Sequence, residues 1–140
     1  MSVHPTAIVH PKAELDEDVV IGPYCIVGEH VKIGRGTELL SHVFLEGWTE
    51  VGQRCKIFPY ASLGTPPQHL QYHDEPTKVI IGDENILREY VTVNRGTAFG
   101  GGVTTLGKRN FLMAYVHVAH DCHVGSHVVM ANAATLAGHI

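Results

Sequence analysis

Aliphatic residues recur along the first half of the chain with a period of six, which fits neither an amphipathic helix nor an alternating strand. They occupy Val3, Val9, Leu15, Ile21, Val27, Ile33, Leu39, Leu45, Val51, Ile57 and Leu63. Because Ile, Leu and Val make up about a quarter of the residues, such a run has chance odds on the order of one in a million within one frame. The period therefore indicates an internal repeat.

The other positions of the hexad repeat as well. Small or β-branched residues stand four positions after the aliphatic one, at Ala7, Ala13, Val19, Cys25, Val31, Thr37, Val43, Thr49, Cys55 and Ala61. Glycine often follows the aliphatic residue, at Gly22, Gly28, Gly34, Gly52 and Gly64, where a chain that turns a corner favours a residue without a Cβ. The pattern is typical of a hexapeptide parallel β-helix, so the sequence predicts an all-β fold with three strands per coil.

Two segments interrupt the repeat. The first, residues 64–76, contains three prolines separated by polar residues, which indicates an excursion from the coil and not a strand. The repeat resumes at Ile81, a second excursion occupies residues 94–102, and the six-residue step then continues from Leu106 to Leu136. Loops on a rigid scaffold often carry binding residues, so both excursions are candidate parts of a site.

Composition and charge exclude several classes of function. With 140 residues the chain fits one domain, and its net charge of −4 argues against a nucleic-acid partner. The three cysteines form no CxxC pair, which favours a reducing compartment. Because no run of about 18 apolar residues and no secretory core occur, we expect a cytoplasmic protein without stable membrane insertion.

The end of the chain also leads to an expectation. Ile140 is four residues into the hexad that begins at Leu136, and nothing near it resembles the cap that closes a solenoid core. We therefore expect residues 1–140 to form one β-helix domain that belongs to a longer protein.

The candidate chemistry lies in the segment HVAHD, residues 117–121. Two imidazoles and a carboxylate crowd into five positions of an otherwise apolar run, and imidazole is well suited to proton transfer near neutral pH. In the hexad frame Val118 faces inward and Cys122 takes the small inward position, so Cys122 is expected to be packing and not a catalytic thiol. His117 and His120 are expected to project to the outer surface.

A further histidine comes near this segment through the repeat. His139 lies 19 residues after His120, so with about 18 residues per coil it should sit one coil further on, about 5 Å away. Asp121 could accept a proton from an imidazole and fix its tautomer. Alternatives stay open at this point, because most of the eleven histidines are expected to be solvated surface residues, and imidazoles also bind zinc.

Four segments of the chain resemble one family of hexapeptide-repeat acyltransferases. PPQHLQYHDEPT, IGDENILREYVTVNRGT, HVAHDC and LAGHI are closely similar to the UDP-N-acetylglucosamine O-acyltransferases that begin lipid A synthesis in Gram-negative bacteria. The resemblance implies a left-handed β-helix, a homotrimer with active sites between subunits, and further coils and a C-terminal helical domain beyond Ile140. It implies transfer of a 3-hydroxyacyl group from acyl carrier protein to the 3-hydroxyl of a UDP-sugar, without a metal or cofactor.

The resemblance also implies roles for individual residues. His120 matches the general base, and Asp121 matches the carboxylate that orients and polarises it. His117 and His139 match supporting positions in the cleft, with His139 expected to touch the sugar. Gln68 matches a residue that contacts the sugar, and the backbone amide of Gly138 is expected at the oxyanion.

The first excursion departs from the family pattern. The family usually reads Gln-Asp-Leu-Lys where this chain reads Gln68-His69-Leu70-Gln71, so an imidazole and an amide replace a carboxylate and an ammonium. His69 and Gln71 are therefore candidate substrate-binding residues. The change predicts either a shifted acceptor, for instance between a 3-hydroxyl and a 3-amino sugar, or binding that depends more on other groups.

Three other interpretations compete with this one. The sister N-acyltransferase of the same pathway more often has Asn after the second histidine, so Asp121, together with the first excursion, argues against it. A metal-dependent trimeric β-helix hydratase of the carbonic anhydrase kind would use the histidines as zinc ligands. A purely structural solenoid would leave the HVAHD segment and the two excursions unexplained.

Overall fold

The chain folds into short strands joined by tight corners. A computed structural model describes all residues from Met1 to Ile140. The strands, in chain order, are β1 (Ser2–Val3), β2 (Ile8–Val9), β3 (Glu14–Leu15), β4 (Val20–Ile21), β5 (Ile26–Val27), β6 (Lys32–Ile33), β7 (Glu38–Leu39), β8 (Phe44–Leu45), β9 (Trp48–Val51), β10 (Lys56–Ile57), β11 (Ser62–Thr65), β12 (Lys78–Ile81), β13 (Ile86–Leu87), β14 (Thr92–Asn94), β15 (Val103–Leu106), β16 (Phe111–Leu112), β17 (His117–Val118), β18 (His123–Val124), β19 (Val129–Met130) and β20 (Thr135–Leu136). A 3-10 turn at Ala98–Gly100 is the one helical element.

Every third strand belongs to the same parallel sheet. The first sheet runs from β1 through β4 and β7 to β19, the second from β2 through β5 and β8 to β20, and the third from β3 to β18. Ser2 pairs with Val20 and Ile8 pairs with Ile26, so one coil takes 18 residues. The predicted parallel β-helix with three strands per coil is confirmed. No helix of the chain is long and apolar enough to cross a membrane.

The predicted aliphatic positions form the interior. From Ile21 to Val118 each of them is buried, and 26 buried apolar residues make one continuous core. In the first and last coils the same positions are more open, as at Val3, which is 40% exposed. Because the core is a stack of equivalent layers, each coil is stabilised mainly by the coils directly above and below it.

The small inward position accepts both thiols and polar groups. All three cysteines are buried there, and burial raises the pKa of the Cys25 and Cys55 thiols above their ordinary value, which disfavours reactive thiolates. Asn85 and Asn110 occupy the same position in later coils. The Asn85 amide donates to the Gly82 and Gly107 carbonyls, and its oxygen accepts from the Asn110 backbone N–H, so these buried polar groups tie neighbouring coils together.

The corners differ from the prediction in where glycine is needed. The left-handed conformation falls three positions before the inward aliphatic residue, and side-chain-bearing residues usually adopt it, as at Asp18 (φ 58°). The glycines that follow the aliphatic residue mostly have ordinary φ values, with Gly64 (φ 82°) an exception. Their role is close approach, because a Cβ on Gly82 would lie 2.5 Å from the Gly107 carbonyl oxygen of the next coil.

Aromatic stacking offsets the backbone cost of one corner. Between the first and second sheets the left-handed residues are Ala133 in the last coil and, before it, five residues with rings: Tyr24, His42, Tyr60, Tyr90 and Tyr115. The five rings form an exposed column with successive centroids 4.9–5.1 Å apart. A left-handed non-glycine residue costs about 1 kcal/mol or more, and an aromatic pair returns about 0.5–1.5 kcal/mol. Stacking in the column therefore offsets the cost of the left-handed backbone at this corner.

Both excursions leave the coil at the corner between the second and third sheets. Paired residues across the first are 30 positions apart and across the second 25, instead of 18. The first begins after Thr65 and the second after Asn94, each slightly later than predicted, because Thr65 and Asn94 still pair beyond an irregularity at Gly64. The excursions thus stack one above the other on one edge of the prism, the three-sided body formed by the three sheets.

Close approach of the coils leads to a stability prediction. Gly82→Ala should lower the free energy of unfolding of residues 1–140 by about 2 kcal/mol or more, because the new Cβ overlaps the next coil. Gly125→Ala is the matched control, since Gly125 holds the same hexad position with nothing within 4 Å of its Cβ site, and it should change stability by less than about 0.5 kcal/mol. Urea unfolding midpoints would measure both, and equal losses would contradict the close-approach argument.

Candidate active site

His120 and Asp121 lie together at the corner between β17 and β18, beside the excursions. The imidazole Nδ1 is 2.9 Å from the Asp121 Oδ2. Both side chains are buried, with His120 6% and Asp121 2% exposed. Asp121 has the left-handed backbone conformation of the general corner position (φ 61°), which turns its carboxylate back toward the preceding imidazole. Neighbours in sequence therefore do face each other here.

The second excursion wraps the carboxylate of Asp121. The Thr97 backbone N–H donates to both carboxylate oxygens at 3.0 and 3.1 Å, and the Thr97 hydroxyl donates to Oδ2 at 2.6 Å. A Cβ on Gly96 or Gly100 would lie within 3 Å of this carboxylate, so the loop can close only with glycine at these positions. The Asp121 backbone N–H in turn donates to the Thr104 hydroxyl at 2.8 Å.

These contacts keep Asp121 ionised. Burial acts to raise the pKa of Asp121, but the hydrogen bonds from Thr97 and His120 together outweigh it and hold the pKa below its ordinary value. An ionised carboxylate accepts the Nδ1–H of His120 and leaves Nε2 as the free ring nitrogen. The pair therefore has the arrangement of a general base whose tautomer a carboxylate fixes.

Three groups surround the free side of His120. The His139 ring lies edge-on with its centroid 4.9 Å away, and its Nδ1 is 4.0 Å from Asp121 Oδ2. The His69 ring lies edge-on from the first excursion at 5.4 Å. Gly138 presents bare backbone, since a Cβ there would be 3.1 Å from both His120 Cε1 and Nε2. The predicted spacing of about 5 Å between His120 and His139 is confirmed.

One expectation about this site is wrong. His120 does not project to an open outer surface, because the two excursions and the following coil cover the corner. His117 is half-buried on the outer face of β17, where its Nδ1 lies 2.7 Å from the Thr92 hydroxyl. Burial, and next the charge of His120, lower the pKa of His117 below its ordinary value, so this imidazole is neutral at pH 7.

The first excursion places its predicted residues differently from one another. His69 is half-buried and also contacts the Phe99 ring of the second excursion, at 4.8 Å between centroids. Its Nδ1 accepts the Gln71 backbone N–H at 3.1 Å, so a neutral His69 carries its proton on Nε2. The side chains of Gln68 and Gln71 are exposed and make no hydrogen bond within the chain.

Sequence reasoning missed two threonines of this site. Thr104 takes the small inward position two residues before Leu106. Counting back one coil of 18 residues from Cys122 leads to it, so the period places it next to Asp121. For Thr97 the sequence offered only one weaker indication of a role in the site, namely its position within an excursion. Its contact with Asp121 depends on the loop folding back over the corner, which the period does not encode.

His120, Asp121 and His139 are also the residues that could hold a metal ion. Their potential ligand atoms all lie within 4.8 Å of one another. The Asp121 carboxylate, however, already accepts three hydrogen bonds from Thr97 and one from His120. A cation would have to displace the proton that joins His120 to Asp121, so the geometry suits a proton better than a zinc ion.

Known proteins share this architecture and sequence. The chain is 59% identical over 138 residues to an acyl-(acyl-carrier-protein)--UDP-N-acetylglucosamine O-acyltransferase of Thermodesulfovibrio yellowstonii, covering 99% of this chain and 54% of the relative. It is 51% identical over 138 residues, with the same coverage, to the protein of that name from Syntrophobacter fumaroxidans. No model of a known protein family matches the chain.

A solved structure gives the same result for the fold. The crystal structure of a UDP-N-acetylglucosamine acyltransferase matches with a TM-score of 0.98 and 49% identity, over 99% of this chain and 54% of that one. The match confirms the left-handed sense of the coil that the resemblance implied. The chain spans about half the length of the relatives that it matches.

The environment of Asp121 leads to a prediction about acid. Thr97→Val removes the hydroxyl donor, so the pKa of Asp121 should rise toward its ordinary value and the free energy of unfolding at pH 7 should fall by about 1–2 kcal/mol. A carboxyl group with a depressed pKa in the folded state contributes stability that is lost as pH falls through that pKa. The deficit of the variant should therefore be full at neutral pH and shrink below about pH 4.

Carbon-detected NMR titration of Asp121 and urea unfolding between pH 3 and 7 would measure these effects. Thr105→Val is the control, because the Thr105 hydroxyl contacts only the exposed His123 ring. An Asp121 titration that Thr97→Val leaves unmoved would rule out the assigned role of this hydroxyl.

Proposed function

Because the chain belongs to the family of UDP-N-acetylglucosamine acyltransferases, over the half of their length that it shares with them, we propose that it carries their acyl-transfer site. The reaction moves a 3-hydroxyacyl chain from acyl carrier protein to the 3-position of UDP-N-acetylglucosamine, the first step of lipid A synthesis. The observation that carries this proposal is the buried His120–Asp121 pair with a free Nε2.

In the proposed reaction His120 handles the proton twice. The 3-hydroxyl gives its proton to Nε2 while its oxygen attacks the thioester carbonyl, and the tetrahedral intermediate then expels the carrier thiolate. The imidazolium returns the proton to that sulfur, so the products are the ester and the free thiol. Asp121 stays ionised throughout and stabilises the imidazolium.

We assign the developing oxyanion to the backbone amide of Gly138. Gly138 lies against the His120 ring, and its N–H makes no hydrogen bond within the chain. An uncommitted amide close to the base is the kind of donor that stabilises charge in an acyl-transfer intermediate. This assignment places the carbonyl oxygen between Gly138 and the attacking hydroxyl.

The acceptor sugar is proposed to lie between the β-helix coil and the first excursion. His139 and His117 would contact it from the coil, and His69, Gln68 and Gln71 from the first excursion. His69 offers an Nε2–H donor where the family usually has a carboxylate. The preference between a 3-hydroxyl and a 3-amino sugar therefore depends on which of these two substituents binds better beside the His69 Nε2–H donor.

A homotrimer in the cytoplasm is part of the same proposal. Ile8, Ile26 and Phe44 succeed one another on the outer face of the second sheet, and Ile8 is 66% exposed. An apolar strip of this kind on a rigid face suits contact with a second copy of the chain. Residues that hold uridine and set acyl length would come from the part of the relatives that this chain does not span.

The competing hydratase gives a separable outcome. It requires a stoichiometric metal at His120, Asp121 and His139, so zinc measured by plasma emission in the purified protein at one ion per chain would favour it. Acyl transfer that survives treatment with a chelator would favour the acyltransferase.

The decisive prediction concerns His120. His120→Ala in the full-length gene product should reduce acyl transfer about 100-fold or more, because the hydroxyl loses its proton acceptor. His123→Ala is the matched control, since His123 is exposed on the outer face of the third sheet, and it should keep activity near that of the unchanged protein. The assay follows transfer from 3-hydroxyacyl carrier protein to 3-hydroxy and 3-amino UDP-sugars, and undiminished transfer by His120→Ala would refute the proposed role.

A further inference from the structure

We infer that Arg95 and Tyr72 form a latch that positions the first excursion over His120. Arg95 is the first residue of the second excursion, and Tyr72 lies within the first. Neither side chain makes a hydrogen bond, ion pair or ring contact with His120 or Asp121, so both act through the residues that the excursion carries. The inference rests on the proposed function for its kinetic consequence but not for its structural one.

The guanidinium of Arg95 occupies a built site. Arg95 is only 7% exposed, its Nη1 donates to the Gly64 carbonyl at 2.8 Å, and Glu46 Oε1 lies 3.8 Å from the same nitrogen. Its planar head lies over the rings of Trp48 and Tyr72, at 5.9 and 5.3 Å. A buried positive charge needs hydrogen-bond acceptors and a nearby negative charge of this kind. Only arginine has a planar guanidinium that donates several hydrogen bonds and also stacks on aromatic rings.

Two glycines serve this head group in different ways, Gly47 by leaving it room and Gly64 by offering a carbonyl. A Cβ on Gly47 would lie 2.9 Å from Arg95 Nη1, so the corner below the guanidinium accepts no side chain. Gly64 supplies the carbonyl that Nη1 contacts, and the Arg95 backbone N–H donates to Thr65 at 3.0 Å. Arg95 is thus anchored to the coil on one side, and its Nε is left to face the excursion.

The Arg95 Nε reaches the excursion through Tyr72. Nε donates to the Tyr72 hydroxyl at 2.8 Å, and that hydroxyl donates to the Glu75 carbonyl. The Tyr72 backbone N–H donates to the His69 carbonyl at 3.1 Å. Two hydrogen bonds, Arg95 to Tyr72 and Tyr72 to His69, therefore connect the buried guanidinium to the residue whose ring lies 5.4 Å from that of His120.

The tip of the first excursion makes few other contacts with the rest of the chain. Gln68, Gln71 and His73 are exposed, and Leu70 is fully exposed at 100%. Buried residues occur only toward its ends, at Pro67 and Thr77. Since few apolar contacts order the segment, its placement over His120 depends on the hydrogen bond to Tyr72 and on the contact between His69 and Phe99.

Tyr72→Phe in the full-length gene product tests the latch, because it removes the acceptor of Nε and leaves the stacked ring. We expect KM for the UDP-sugar to rise about tenfold with kcat changed less than about threefold, the scale of one hydrogen bond to a charged group. Tyr60→Phe is the matched control, since Tyr60 lies in the exposed aromatic column and its hydroxyl makes no hydrogen bond. A purely structural role would lower stability and leave KM unchanged.

A second variant separates positioning from other effects. In a His69→Ala background Tyr72→Phe should raise KM by less than about twofold further, because both changes remove the same contact. Arg95→Lys, which keeps the charge but loses the fork, should reproduce the KM effect of Tyr72→Phe. Fully additive effects of the two changes, or an unchanged KM in Tyr72→Phe, would overturn the inference.

The structural part can be tested on residues 1–140 without any assay of transfer. Hydrogen exchange of the Tyr72 and Gln71 amides should speed up about tenfold or more in Tyr72→Phe, with the Thr97 amide unaffected. If the unmodified full-length protein transfers no acyl chain, the proposed function fails while this exchange test still decides the latch. Unaltered exchange at both amides would reject it.

Discussion

Contact between successive coils is the constraint on which the rest of the structure depends. Each two-residue strand makes too few contacts to be stable alone, so the fold exists only because equivalent strands lie 18 residues apart and pair in parallel. That spacing requires the carbonyls of one coil to approach the next without an intervening Cβ, as at Gly82. Rigidity of the prism follows from this repetition.

The site uses that rigidity at one edge. His120 and Asp121 sit at an ordinary corner, with the backbone conformation that corners throughout the prism adopt. What distinguishes it is the pair of excursions above and beside it, which supply Thr97 to the carboxylate and His69 to the imidazole. A general structural position has thus acquired a buried imidazole–carboxylate pair through the addition of loops, with no change in the core.

The period of six was enough to predict the coil, its inward residues and the distance between His120 and His139. It worked because the residues involved are repetitive and their neighbours lie a fixed number of positions away. It failed where contacts depend on loop closure, as for Thr97, Arg95 and Tyr72, and it misjudged the exposure of His120 for the same reason. The glycine role was also misjudged, because sequence spacing does not distinguish a turn from a close approach.

The two excursions at a single corner have a consequence for how such a protein can change over generations. They lengthen the path between paired strands from 18 residues to 30 and 25 without altering which strands pair. Insertions and deletions at this edge therefore have little effect on the folding of the β-helix. A single-residue shift inside a hexad, in contrast, would move the inward side chains to the outer face. Mutation can therefore change the side chains and loop lengths at this edge while the repeat stays constant.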